Sequence, residues 1–488
     1  MRHSVVFPFD RPGMQKKIIL LELNEVPKRV LQSFATDNPS SAFAKVINCG
    51  TSFETFTPDD GHLSPWITWP TLHRGVSNAL HGLTSFGQSL DVADGKYPPI
   101  WKLLAQHGVS TGVFGSLHSY PMSAMDESNY FYVPDTFASS PECHPKKVSH
   151  FQAFNLAMVG ESARNVSTKI PATALAFLPK AFSLGLTFRT AFKICQQLLA
   201  ERVSPWKRNR RRSLQAVLCF DVFMKLMKSK QPQFATFFTN HVASSMHRFW
   251  AAKYPQDFAT SDFDNDWQKR YEGEIAWAMN IADDLVESLM QFCDRRKDTI
   301  LVIASSMGQA AHDARKVSRQ LVLSDPAKFV HELGVPAGCW EKRPAMVPQF
   351  NCVVASSHAD AFEQELRALT LNGQPVEFIR QAEGFFSISF GQINLADDNC
   401  VLKRHDAAVA LHGLGLTNLE IEDEAGSTGY HIPEGIMLVY DPGKKTAATV
   451  ETPIPTTDIA PAICGFFDIP NQPYMSRGGG FSDVIHRQ

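Results

Sequence analysis

The feature that most constrains this chain is a recurring pair: a short unbroken run of apolar residues alternating with a stretch of helical spacing. Ile18–Leu23 reads as a strand and is followed by a helix from Pro27, a proline suited to a first helical turn. Pro98–His107 reads as a helix before a strand at Ser110–Gly115, and Arg212–Lys228 as a helix before a strand at Phe234–Thr239. Tyr271–Phe292 then reads as a long helix before a strand at Thr299–Ser305. Strands without polar alternation are those buried on both faces, so the pattern predicts an α/β fold with a doubly wound, mostly parallel sheet. In such sheets ligands bind beyond the carboxyl ends of the strands, which is where chemistry should be sought.

Two segments break the alternation. Residues 149–207 are helical and apolar with no strand among them, which predicts a helical cap inserted over the sheet. Residues 310–429 mix short strands such as Phe350–Ala355, Phe385–Phe390 and Ala407–Leu411 with one helix, which predicts a smaller α+β subdomain. The sheet resumes at Gly435–Tyr440 and is followed by a helix at Thr457–Phe467, so the core comprises residues 16–148, 208–309 and 430–488. The longest apolar stretch, Pro171–Phe188, is broken by Pro179 and Lys180 and reads as buried or interfacial helices, being marginal against the ~20 residues that span a bilayer.

Charge excludes one broad class. Forty-seven Lys and Arg against 49 Asp and Glu give a net charge of -2 over 488 residues, so no nucleic-acid partner is expected. The run Lys207–Arg212 is a solvated loop or a peripheral contact with an anionic lipid or polymer. Nine cysteines form no C-x-x-C pair, which suggests neither a zinc knuckle nor a disulfide framework. Arg2, Pro8, Asp10, Arg11 and Pro12 interrupt the apolar run a secretory signal needs, and the chain reads as cytoplasmic with reduced thiols.

The candidate site residues lie past the strands. Asn24 and Glu25 end the first strand. Thr68-Trp69-Pro70 opens a helix, where Thr68 is either an N-cap or a hydroxyl whose ionisation the helix N-terminus favours. Arg74 follows as an anion contact, and on the plainer reading Arg74 and His81 are ordinary surface and turn residues. Asn240, His241 and His247 leave the strand at Phe234–Thr239; the two imidazoles suit metal binding, proton transfer, phosphate contact or a structural role. Ser305-Ser306-Met307-Gly308 offers hydroxyls and a thioether but no carboxylate, and His431 precedes the late strand. Asp59-Asp60-Gly61-His62 is a further ligand source or a plain turn.

In order and spacing these segments resemble the alkaline phosphatase superfamily, in particular its nucleotide pyrophosphatase/phosphodiesterase and phosphoglycerate-mutase-like branches. Leu20-Leu21-Glu22-Leu23-Asn24-Glu25 is similar to that family's strand ending in Asp-Gly, and Thr68-Trp69-Pro70 with His81-Gly82 to its Thr-aromatic-Pro and later His-Gly. Pro99–Leu104 through Gly115 is similar to the helix and strand that follow. Ser305–Gly308 stands at the Ser-Asp-His-Gly motif, His431–Gly435 at His-x-Pro-x-Gly, and Thr456–Pro461 at the near-terminal helix motif. The resemblance implies an alkaline-phosphatase-like fold and chemistry in which two metal ions flank a Thr or Ser nucleophile attacking phosphorus or sulfur in line. It implies Thr68 as nucleophile and His247 and His431 as metal ligands. Asn24, Ala243, Ser306 and Met307 stand where the family has anionic and imidazole ligands, so the nucleophile's own metal is expected to be lost. His241 completes a three-histidine site with His247 and His431 for one ion, zinc by preference, or the histidines work without metal. The Leu-Asn-Glu and Asn-His-Val-Ala wording is similar to a divergent bacterial subgroup associated with surface-polysaccharide and other biosynthetic clusters.

Three functional expectations follow. The first is a hydrolase or transferase on a phosphate or sulfate ester, with Thr68 as nucleophile, His241, His247 and His431 replacing metals partly or wholly, and Asn24, Asn240, Arg74 and Ser306 binding the anion. The second is metal-free acyl or glycosyl transfer, with Glu25 orienting a histidine base. The third is a non-catalytic anion-binding module. The apolar cap residues Leu178, Phe182, Leu184 and Phe188 predict a lipid- or glycan-linked anionic substrate.

Overall fold

A computed structural model describes residues 17–482, apart from 123–129, 162–164, 168–170, 347, 396–400, 445–446, 477–478 and 480. The N-terminal residues that bear on a secretory signal, up to residue 16, lie outside the described ones.

The architecture is mixed α/β. Ten strands matter for the site: β1 (Lys17–Leu23), β2 (Thr51–Phe56), β3 (Thr111–Phe114), β4 (Phe131–Val133), β5 (Phe234–Thr239), β6 (Thr299–Ala304), β7 (Gly308–Ala311), β8 (Gly429–Ile432), β9 (Glu434–Tyr440) and β10 (Ala448–Pro455). Eight of them form one sheet in the order β10-β2-β9-β6-β1-β5-β3-β4. The block from β6 to β4 is parallel, β9 runs antiparallel to both neighbours, and β2 and β10 are parallel to each other. The apolar runs of β1, β5 and β6 form these strands because both faces are covered. Ile19, Leu21 and Leu23 enter one core with the helices Arg211–Lys230, His241–Lys253 and Glu274–Arg296, while Ile18 and Leu20 enter the other with Trp69, Trp101 and Ile463.

Register decides where the site falls. Leu23 lies opposite Thr239 of β5, and Glu22 opposite Ala304 of β6, so three adjacent strands release Asn24-Glu25, Asn240-His241 and Ser305-Ser306 side by side. Behind β6 the chain forms a two-stranded flap, β7 with β8, that sets His431 opposite Gln309. Ser305 pins this corner: its hydroxyl donates to the Val26 carbonyl at 3.0 Å and accepts from the Ile436 N–H at 2.9 Å. Gly308 fits there because a Cβ would come within 2.3 Å of the Glu434 carbonyl.

Residues 149–207 carry helices at Ser149–Glu161, Thr173–Phe177, Ala181–Leu184 and Phe188–Val203. Phe151, Phe177, Ala181 and Leu184 join the first core beside Phe114 and Phe223. Residues 310–429 hold two four-stranded antiparallel sheets over a third core. Two α-helices pack there, Pro326–Glu332 and Ser356–Arg367, where the sequence predicted one; Pro326 at the start of the first is a helix-initiating proline rather than a break. Among the described residues no helix is long and apolar enough to cross a membrane.

Candidate functional site

The turn after β1 sets the centre. Glu25 has φ 59°, a left-handed conformation that costs an L-residue about 1 to 2 kcal/mol and that glycine adopts freely. A glutamate held there points to a role for its side chain. The carboxylate is 2% exposed, and its Oε2 lies 2.9 Å from His247 Nε2 and 3.5 Å from His431 Nε2. Gln309 Nε2 also donates to Oε2, and to the Ala243 carbonyl at 3.2 Å, while Asn24 Nδ2 donates to Oε1 at 2.8 Å.

Both imidazoles are anchored from behind. His247 Nδ1 lies 2.7 Å from the Gly429 carbonyl and His431 Nδ1 lies 2.7 Å from the Leu63 carbonyl. A carbonyl accepts only, so each Nδ1 carries the proton and each Nε2 is turned to Glu25 with a lone pair or a second proton. Two lone pairs facing one carboxylate oxygen would repel, so positive charge belongs between them, as protons or as a cation. Burial alone would push the Glu25 carboxyl up, but His431 and His247 outweigh it and hold it well below the usual carboxylate range. For His431 burial pulls the other way, and the Glu25 charge raises it above the ordinary histidine value. Glu25, His247 and His431 each offer one ligand atom, and these atoms lie within 4.8 Å of one another. His247 is the outer member, its side chain 24% exposed. Tyr430 stacks on His431 at 4.3 Å between ring centroids and also touches His247, His62 and His312, closing the outer wall with aromatic rings.

The neighbouring hydroxyl cluster is uncharged. Thr68 is the fourth residue of the helix Pro65–Arg74, and its N–H donates to the Ser64 carbonyl at 3.0 Å, so it is neither the N-cap nor a free helix-terminal donor. Its Oγ1 lies 2.7 Å from Ser306 Oγ, and both residues are fully buried. Pro70 inside this helix leaves the Trp66 carbonyl without its usual donor, and His118 Nε2 reaches it at 2.8 Å instead. His118 is thereby fixed as a neutral donor, burial pulling its pKa down to about 4. Asn24 joins the two clusters. Its amide donates to Glu25 and, at 2.6 Å, to Asn240 Oδ1, and it accepts the Trp69 indole N–H at 2.7 Å. Both amide protons are spent, so Asn24 is a positioning residue rather than an anion binder. Asn240 is partly exposed, and its own amide N–H groups have no hydrogen bond to described residues.

Two expected members lie elsewhere. His241 does not join His247 and His431: its Nδ1 pairs with Thr239 Oγ1 at 2.7 Å and its Nε2 with the Ala278 carbonyl at 3.1 Å, and burial lowers its pKa to about 4. The three-histidine set is therefore replaced by Glu25, His247 and His431. Positions six apart on one helix are about 120° apart around its axis, so the spacing itself excludes a shared ligand position. Among the described residues Arg74 bonds no site element; it is buried against Asp94 at 2.7 Å and donates to the Tyr97 carbonyl at 2.5 Å. Asp59 ties its turn to Thr57, Thr71 and the Asn78 N–H, and His81 Nε2 bonds Thr71 at 3.0 Å. The basic run is largely neutralised, Arg208 by Glu422, Arg210 by Glu274 and Arg211 by Glu201, so it is not a free cationic patch. Leu178, Phe182 and Phe188 point to solvent and only Leu184 packs inward, so these cap residues do not line the site.

Gln309 and Tyr430 are site residues that the sequence reading missed. Their positions, directly after Gly308 and directly before His431, were the available signal.

The two-metal centre implied by the resemblance does not fit these side chains. Asn24 is engaged on three sides, Thr68 and Ser306 satisfy each other, and Met307 is fully buried. A single cation fits Glu25, His247 and His431, a carboxylate with two imidazoles being a donor set that suits zinc.

No protein-family model matches this sequence, and no curated protein matches it. Among solved structures the chain is similar to murine ectonucleotide pyrophosphatase/phosphodiesterase 5, at 11% identity and TM-score 0.42 over 96% of this chain and 100% of that one. It is similar to an inactive variant of that murine protein in complex with AMP, at 11% identity and TM-score 0.42 over 96% and 99%. The human counterpart gives 12% identity and TM-score 0.40 over 96% and 99%. Likeness at this level transfers no residue role.

Proposed function

We propose that this chain is a divergent member of the alkaline phosphatase superfamily and a hydrolase or transferase of a phosphate or sulfate ester, built around a one-cation centre at Glu25, His247 and His431. The observation that carries the reading is the convergence of His247 Nε2, His431 Nε2 and a Glu25 oxygen, with each imidazole fixed through Nδ1 by a backbone carbonyl.

Charge decides between states of this centre. With both imidazoles neutral it carries -1 and repels an anionic ester; with a divalent cation it carries +1 and attracts one. Such an ion, when bound, supplies Lewis-acid stabilisation of charge developing on an ester oxygen. The protein's own groups do the rest. Asn24 holds Glu25 and Asn240 in register, Gln309 fixes the inner carboxylate oxygen, and Asn240 presents amide N–H groups to an anion. Thr68 supplies the attacking hydroxyl and Ser306 orients it; as the new O–P or O–S bond forms and the ester bond breaks, the Thr68 proton leaves with the departing ester oxygen. The free thiols among the described cysteines favour a reducing compartment, and we assign the protein to the cytoplasm.

A second reading, a non-catalytic anion-binding scaffold, is favoured by one observation: Thr68 has no exposed surface. Hydrolysis of aryl phosphate monoesters, phosphodiesters and sulfates, with and without added zinc, separates the two. Turnover raised by zinc and lost in Glu25→Gln supports the enzyme. Saturable phosphate binding without turnover of any ester supports the scaffold.

A further inference from the structure

The helix Phe188–Val203 is built inside out. Its buried positions are Thr190, Gln197 and Glu201, all polar. Their needs are met internally: Gln197 donates to Glu201 at 2.8 Å and to the Lys207 carbonyl at 2.7 Å, and Arg211 pairs with Glu201 at 2.7 Å. The outward face carries Phe188, Phe192, Leu199 and Val203, which are 83%, 62%, 61% and 86% exposed. These spacings of four, seven and four residues form one stripe along the helix. Phe182 from the preceding turn extends it, at 53% exposed, and lies 5.1 Å from Phe188 between ring centroids. A continuous apolar surface of this kind marks an interaction site.

Charge says what covers it. Between residues 171 and 203 the exposed charged side chains are Lys180, Arg189 and Arg202, with Lys193 half-buried beside them. The segment's acid, Glu201, is buried under Arg211. Arg189 and Lys193 share Asp284, Lys180 meets His150, and Arg202 has no acidic partner among the described residues. A second copy docking through the same face would bring Lys180 and Arg202 of the two copies together without an acid between them, which disfavours a symmetric dimer. An apolar face bordered by Lys180 and Arg202, neither with an acidic partner among the described residues, matches an anionic bilayer, with rings and aliphatic chains entering the acyl boundary and the cations meeting the headgroups. We infer that this face docks the protein on an anionic lipid surface. The inference is independent of the chemistry assigned to the Glu25 centre.

Co-sedimentation of the full chain with vesicles of phosphatidylcholine alone, and of phosphatidylcholine with phosphatidylglycerol, tests it. Binding is expected to the anionic vesicles and to weaken with added salt. The double variant Phe188→Asp/Phe192→Asp should lose more than about tenfold in partitioning, and Arg202→Glu at least about fivefold. Val203→Asp, at the most exposed position, serves as a second apolar test, and unchanged circular dichroism confirms that each variant is folded. Three results overturn the inference: no binding of the wild type to anionic vesicles, equal binding by the apolar variants, or a wild-type dimer that Phe188→Asp/Phe192→Asp converts to monomer.

Discussion

Two regions at the carboxyl ends of β1, β5 and β6 differ in kind although Asn24 links them. On one side Thr68 and Ser306 form a fully buried, uncharged hydroxyl pair. On the other, Glu25 gathers two imidazoles and is held ionised despite its burial. The resemblance placed metal ligands in both. At the hydroxyl side the substitutions are complete, since Asn24, Ser306 and Met307 leave no anionic or imidazole donor. At the charged side the resemblance expects a carboxylate where Ala243 stands; Glu25 offers one from the neighbouring strand end, with Gln309 bonding both Glu25 and the Ala243 carbonyl. A ligand set is a matter of convergent atoms, so in the proposed centre the carboxylate comes from a different element than the resemblance expects, at the cost of a left-handed turn.

The largest expected effect separates the regions directly. On the proposed one-cation reading Glu25→Gln should lower ester hydrolysis on the order of 10³-fold, since it removes the one carboxylate of that centre. If activity survives unchanged, the charged side is structural and the comparison inverts.

A smaller effect contrasts His241 with the site histidines. Its pKa lies near 4 when folded and near 6.5 when unfolded, so the unfolded chain binds the extra proton between these values. Stability from this site is therefore full above about pH 6.5 and falls as pH drops toward 4, by on the order of 3 kcal/mol. Denaturant melts of wild type and His241→Gln across that range should show a shallower acid loss in the variant. Equal slopes would mean that His241 is not held neutral.

Thr68→Val keeps the volume and removes the hydroxyl. Loss of turnover with a stability cost of about 1 kcal/mol is expected for a nucleophile whose partner Ser306 is left unpaired. Full turnover with the same cost would make the pair a packing feature and favour the scaffold reading.

The smallest effect isolates the backbone. Because residue 25 has φ 59°, Glu25→Gly should be more stable than Glu25→Ala by about 1 kcal/mol in chemical denaturation, with both inactive. An alanine variant of equal stability would show that the turn relaxes when the carboxylate is gone.

The parallel centre of the fold was legible because β1, β5 and β6 are continuous apolar runs, a pattern that only a two-sided burial explains. The other margin was not. β2, with the sequence Thr-Ser-Phe-Glu-Thr-Phe, and β10, which ends in Pro and is largely exposed, carry no comparable run, so their pairing is visible only in three dimensions. β9 was legible as a strand but not as antiparallel, since direction follows from the flap formed by β7 and β8 rather than from its own residues. In the site, the places of His247, His431 and Thr68 after strands and in motifs are legible in the sequence, and the structure brings the two imidazoles onto Glu25 and Thr68 onto Ser306. Glu25 is legible as the end of the first strand, but its convergence with both imidazoles is not, because a left-handed turn has no mark in a non-glycine sequence. His241 was misplaced because its distance from His247 was taken along the chain instead of around a helix.

Elemental analysis of wild type and Glu25→Gln, purified without chelator and then equilibrated with zinc and desalted, tests the one-cation centre most directly. One tightly held divalent ion per chain in the wild type, lost in Glu25→Gln while the variant remains folded, is the expected result. No retained ion, two per chain, or undiminished occupancy in the variant would contradict it.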